Sequence, residues 1–212
     1  VAVLRSSQNA AELITAYEAG HITPLPHAPD ITAQTFSDCT NIVALAGAEH
    51  INAALATGAD VIIAGRTTDT AIIAALPLDK GLHAGAAWHG AKIGECGALC
   101  ATNPQSGVLV IDFDDTGFTI IPMAEGARAT PHTVSAHMLY ENSDPFILFE
   151  PGGHLDVTNA KYIAVDDTRV RVEGSEWIAS DDYTVKLEGA RLAGYQTVLM
   201  ALLRDTRYVE NA

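Results

Sequence analysis

A chain of 212 residues with 48% hydrophobic side chains can build a substantial core, and its formal net charge of −14 argues against a nucleic acid or an anionic membrane surface as partner, because both need clustered Lys and Arg. No segment is apolar over the length of a membrane span, and no basic-then-apolar leader opens the chain. Three cysteines, Cys39, Cys96 and Cys100, form no even disulfide framework, so the expected setting is reducing and cytoplasmic.

In chain order, Val1 to Leu4 reads as the end of a strand. Asn9 caps a helix, with Glu12 in the reciprocal third position and Gly20 as the stop. HITPLPHAPDIT, with three prolines and no period, is a loop. NIVALAGAEHINAALATG reads as one helix that Gly58 ends, and the apolar run from Val61 to Ala64 reads as a strand buried on both faces, followed by a turn and a second helix. Beyond about Asn103 the hydrophobic period switches to two. VLVIDFDDTGFTIIPM predicts a hairpin turning at Asp114 to Gly117, and KYIAVDDTRVRVEGS a second turning at Asp166 to Thr168. Between them Thr130 and Pro131 start a helix that is expected to reach about Glu141. YTVKLEGA and GYQTVLMALL are further strand candidates. The expected fold is α/β with a mainly parallel βαβ sheet over 1–105, followed over 106–212 by a β-rich α+β region with antiparallel hairpins, the whole being a fragment of a longer protein.

The segment NIVALAGAEHINAALATGADVIIAGRTTDTAIIAALPL, the downstream AKIGECGA, and the later EPGGHLDVTNAKYIAVDDTRVRVEGS and YTVKLEGARLAGYQTV together resemble the acyclic terpene utilisation family over most of residues 40–205. The most specific part is G-A-D-V-x-x-x-G-R-x-x-D with a later E-C-G-A. The resemblance implies a longer protein with an α/β region before Val1 and further chain after Ala212. It also points to catabolism of branched acids or their coenzyme A thioesters near acyl-CoA carboxylases. It supplies no catalytic residue, so roles are read from chemistry.

Arg66 follows a strand at the position where open α/β sheets bind ligands, beside the free amides of a helix start. Its guanidinium fork suits a carboxylate, and Asp69 one turn on can orient it or simply pair with it. Thr67 in the same turn joins Arg66 as a substrate contact. In GECGA, Glu95 is the candidate base for proton abstraction next to a carbonyl, or else a structural partner of Arg66 or Lys92; Cys96 and Gly97 beside it would touch the substrate. Cys96 and Cys100 read as core thiols, because a zinc site lacks two further ligands. EPGGHLD offers Glu150 as a second substrate contact and His154 as a proton-transfer group, against the alternative of a polar turn. Catalysis is assigned to Glu95, Asp69 and His154, with no metal and no cofactor. Two functions stand side by side. One is a cofactor-independent lyase or hydratase acting on a small carboxylate or acyl-CoA, in a homo-oligomer. The other is a non-catalytic component or small partner subunit of an acyl-CoA carboxylase-type pathway, using the hairpins as docking edges. A pocket joining Arg66, Glu95 and Glu150 favours the first.

Overall fold

A computed structural model describes residues 1–211, and Ser106 through its backbone alone. In chain order it contains β1 (Ala2–Leu4), α1 (Ala10–Glu18), α2 (Ala33–Ser37), β2 (Asn41–Ala44), α3 (Ala48–Leu55), β3 (Ile62–Ala64), α4 (Asp69–Asp79) and α5 (Ala84–Gly94). Two 3-10 turns, Gly97–Cys100 and Pro104–Ser106, lead to β4 (Leu109–Phe113), β5 (Gly117–Pro122), α6 (Pro131–His137), β6 (Ile147–Glu150) and β7 (Gly153–Asp156). The chain finishes with β8 (Lys161–Ala164), β9 (Val170–Glu173), β10 (Glu176–Ala179), β11 (Leu187–Ala190) and α7 (Thr206–Val209). The class is mixed α/β, with a small parallel sheet and several antiparallel ones.

Local chemistry accounts for many of these boundaries. Asn9 Oδ1 accepts from the amides of Ala11 and Glu12 to open α1; the Glu12 side chain does not return the bond. Thr130 and Thr133 form a reciprocal capping box at the start of α6, with Pro131 at the first helical position, and the helix ends at His137, one turn short of Glu141. Asp114 Oδ1 accepts from the amides of Thr116 and Gly117, closing the β4–β5 hairpin. Asp166 does the same with Thr168 and Arg169 for β8–β9.

The first half departs from the expected sheet. Among the described residues parallel pairing is confined to β1–β3 and an isolated Ala46–Thr67 bridge, while β2 pairs antiparallel with β11 from the far end of the chain. The NIVA expected to begin a helix is therefore a strand: Ile42 and Val43 are β-branched and favour the extended form, and the helix starts only after Gly47. The strand over Ile62–Ala64 is not buried on both faces, since Val61 and Ile63 are 52% and 58% exposed and Ile63 sits in register with the exposed Val3. GYQTVLMALL forms no strand; Tyr195, Leu199 and Met200 are exposed. Its composition is β-like, but no ladder among the described residues takes it up.

One core runs across the boundary expected near residue 105. Ala48 and Ile51 of α3, Ala71, Ala74 and Ala75 of α4, and Trp88, Ala91 and Ile93 of α5 join Phe118, Ile120, Val170 and Val172 of the sheet ordered β4-β5-β9-β8. Full burial of side chains the size of Ile or Phe contributes roughly 1.5–3 kcal/mol each. Glycines let α5 lie directly on the strands. A Cβ on Gly85 would sit 2.1 Å from the Ser175 carbonyl oxygen, and one on Gly90 2.5 Å from the Phe113 ring. Inside this layer His89, fully buried, faces Ser175 Oγ at 2.6 Å through Nδ1 and the Tyr162 hydroxyl at 3.3 Å through Nε2. Burial pushes its pKa down to about 3, so the ring is neutral at ordinary pH. The close seating of α5 fixes where its C-terminal end, with Lys92 and Glu95, emerges.

Candidate functional site

The stretch after β3 is pinned before it reaches α4. The Arg66 amide donates to Ser6 Oγ at 2.6 Å, and Gly65 leaves room for that hydroxyl, because a Cβ there would lie 2.5 Å from it. Arg66 then folds back on the protein's own carboxylates. Its Nε donates to Glu188 Oε2 at 3.1 Å, and Nη1 donates to Asp69 Oδ1 at 2.9 Å and to the Thr67 carbonyl at 3.0 Å. The hydrogen bond Arg66 donates to Glu188, then the one it donates to Asp69, raise the guanidinium pKa. The fork expected to receive a ligand carboxylate is thus engaged, at a side chain 40% exposed.

Below this rim lies a more buried polar cluster. Thr68 caps α4 by accepting from the Ala71 amide, and Thr70, on the buried face of the helix, donates to Glu95 Oε2 at 2.5 Å. Lys92 Nζ donates to Glu95 Oε1 at 2.5 Å, so both oxygens of Glu95 are held as acceptors by a hydroxyl and an ammonium. The Lys92 and Glu95 side chains are 18% and 10% exposed. Of the two structural partners considered for Glu95, Lys92 is the one present.

Glu150 enters the same cluster from the other side. It ends β6, opposite Gly153, across a two-residue turn in which Pro151 precedes Gly152 at φ +84°. Burial pushes its carboxyl pKa up; the hydroxyls of Thr68 and Thr70 offset part of the rise, the negative charge of Glu95 adds to it, and Lys92 opposes it. Glu150 Oε2 is buried and makes no hydrogen bond. Two carboxyl groups therefore share the Thr70 hydroxyl region in unlike surroundings, one held in an ion pair and the other desolvated.

The remaining expected residues are distributed around this pair. His154 stands opposite Phe149, 5.6 Å between rings, while Glu150–Gly153 and Leu148–Leu155 are the pairs on the buried side, so alternation along β7 sends His154 to the other face from Glu150. Cys96 directly follows Glu95; burial and then the Glu95 charge raise its thiol pKa. Gly97 turns the chain at φ +63° with open space where a side chain would be. Thr67 is buried and its carbonyl holds Arg66. The structure brings Glu95 and Glu150 together, leaves Cys96 and Gly97 next to Glu95 along the chain, sets Arg66, Thr67 and Asp69 on the adjoining rim, and separates His154. It adds Thr70, which no reading of the sequence singled out, although a Thr four residues before the buried Ala74 lies on the same helix face. Among the described residues no group of three or more His, Cys, Asp or Glu is placed to hold a metal ion, and no helix is long and apolar enough to cross a membrane.

The family model described as acyclic terpene utilisation family protein AtuA matches residues 2–212, essentially the whole chain. No curated protein and no solved structure matches it.

Proposed function

We propose that this chain, which belongs to the acyclic terpene utilisation family, is an acid–base enzyme of carboxylic-acid or acyl-thioester catabolism, a lyase or hydratase that works without a cofactor. What carries the reading is the unlike pair Glu95 and Glu150. Two carboxyl groups whose environments push them apart are the means by which a protein keeps one acid and one base at the same pH. Glu95 takes the proton from the carbon next to a carbonyl, and the C–H electron pair forms the new double bond. The hydroxyl on the next carbon leaves with its C–O electrons and takes the proton of Glu150, so one water is released. In the hydration direction each transfer reverses. Thr70, touching Glu95 and lying beside Glu150, links the two carboxyls and allows their protons to be reset. On the rim, Arg66 stays paired with Glu188 and Asp69.

The test is solvent-deuterium exchange at the α-carbon of a panel of short carboxylates and acyl thioesters, followed by proton NMR. The reading expects exchange with at least one of them, and a loss of roughly 100-fold in Glu95→Gln measured at a temperature where that variant is still folded. Absence of exchange across the panel, or an unchanged rate in Glu95→Gln, overturns it.

A non-catalytic component, docking on a partner subunit or a second copy, is the second reading. It is favoured by the exposed apolar residues Leu192, Val198, Leu199, Met200 and Leu202 together with Val3 and Ile63. A protein that fails every exchange assay but assembles through these residues fits that reading instead.

A further inference from the structure

We propose that the pocket between α6 and the Gly97–Cys100 turn receives a neutral acyl compound, a thioester or a ketone in preference to a free carboxylate, with the His137 ring hydrogen-bonding its carbonyl oxygen. This rests on the acid–base reading above, whose substrate it places.

The pocket, about 360 Å³, has Leu99, Ala101 and Ala136 as its apolar side and His132, His137 and Tyr140 as its polar side. That is within the size range of small-molecule sites. It lies next to the carboxylate cluster along the chain and in space: the turn that forms one wall follows Glu95 and Cys96 directly, and the His137 ring feels the charges of both Glu95 and Lys92. His137 itself is 8% exposed, stacks on Tyr140 with 5.8 Å between ring centroids, and its carbonyl accepts from the Tyr140 amide at 2.9 Å. The ring lines the pocket, so a polar group placed there can hydrogen-bond it. A neutral imidazole carries one ring N–H donor and one nitrogen acceptor.

The chemistry of the walls selects the ligand. No Lys or Arg lines the pocket. The nearest cation on the cluster side, Lys92, is committed to Glu95, and Arg66 is committed to Glu188 and Asp69. Burial lowers the His137 pKa, which leaves the ring neutral at neutral pH. A carboxylate entering here would lose part of its hydration with no cation on the walls to compensate and the negative charge of Glu95 nearby. A neutral carbonyl loses far less hydration and accepts one hydrogen bond from the imidazole. That bond strengthens as Glu95 removes the neighbouring proton and charge develops on the carbonyl oxygen. His137 then serves as the oxyanion donor, and proton return to the same carbon restores the starting compound.

The experiment uses the full chain labelled with ¹³C at histidine Cε1, with the His137 signal assigned by His137→Gln. The probes are S-butyryl-N-acetylcysteamine, a neutral thioester, and butyrate. The thioester is expected to shift the His137 signal saturably, with butyrate at least tenfold weaker. Ala136→Phe, which fills the pocket, is expected to abolish the shift; Leu99→Trp, at an exposed position, does the same should Ala136→Phe fail to fold. His137→Gln is expected to reduce thioester affinity about tenfold, the effect of one lost hydrogen bond. Equal or tighter binding of butyrate, or a shift that persists in the filled-pocket variants, overturns the proposal. Glu95→Gln separates the two ideas. If it leaves the thioester-induced His137 shift in place while no exchange is seen with either protein, the pocket stands and the acid–base reading falls; exchange without any His137 shift gives the reverse.

Discussion

Lys92→Met removes the cation from a pair whose side chains are only 18% and 10% exposed, and leaves Glu95 with Thr70 as its single donor. Breaking a fully buried ion pair from one side costs about 3–5 kcal/mol, because the remaining charge stays desolvated. The residual solvent contact here reduces that to about 2–3 kcal/mol, or a fall in melting temperature of roughly 4–12 °C for a chain of this size. Removing the stranded charge as well should recover part of the loss, so Lys92→Met/Glu95→Gln is expected to be at least about 1 kcal/mol more stable than the sum of the two single changes predicts. Urea unfolding at neutral pH, with the m-value unchanged across the set, measures both quantities. A loss below about 1 kcal/mol for Lys92→Met, or strict additivity in the cycle, would refute the picture of Lys92 as the group that holds Glu95 in place.

Gly85→Ala puts a Cβ 2.1 Å from the Ser175 carbonyl oxygen, a backbone atom that cannot swing away, and is expected to destabilise by at least about 2–3 kcal/mol in urea. Gly126→Ala, where φ is +73° and the space is open, should cost only about 1 kcal/mol. His89 is neutral when folded, with its pKa down at about 3 against an ordinary 6.5, so the native state binds fewer protons than the unfolded chain between those values. Its contribution is complete above pH 6.5 and is lost as pH falls towards 3, on the order of 4–5 kcal/mol in all. His89→Phe is therefore expected to flatten stability over that window, whatever its effect at neutral pH. Cys100 is fully buried and its thiol is pushed up to about 12, so it should stay unreactive to a disulfide reagent until the chain is unfolded.

Where local chemistry decides the structure, the sequence is a sound guide. Asp114, Asp166, Asn9 and the Thr130–Pro131 pair act within three or four residues of themselves, and their turns and helix starts lie where that chemistry puts them. The strand-turn-helix at Ile62 to Asp69 is of the same kind. What escapes is non-local. β2 pairs with β11 from the other end of the chain, and nothing within NIVALAG distinguishes a four-residue apolar strand from the first turn of the helix that follows. The site shows the same division. Glu95, directly after Gly94, and Glu150, directly before Pro-Gly-Gly, are conspicuous in the sequence, but their meeting depends on α5 lying flat on the sheet and on β6 ending beside α4. The pairing of Arg66 with Asp69, one turn away, is legible in the sequence, but its second partner, Glu188, is 122 residues away. His154 is conspicuous for its position after Pro-Gly-Gly, yet the tight turn pairs Glu150 with Gly153 and alternation then carries His154 to the opposite face.

The account depends most on burial and the neighbouring Glu95 raising the Glu150 carboxyl pKa. Carbon-13 NMR titration of side-chain-labelled glutamates, with Glu150 assigned by Glu150→Gln, measures this directly. The account predicts that Glu150 titrates above the usual glutamate range because its carboxyl is buried, and that Glu95→Gln brings it down by removing the neighbouring negative charge. A Glu150 carboxyl that titrates within or below the ordinary range, and does not respond to Glu95→Gln, would contradict it.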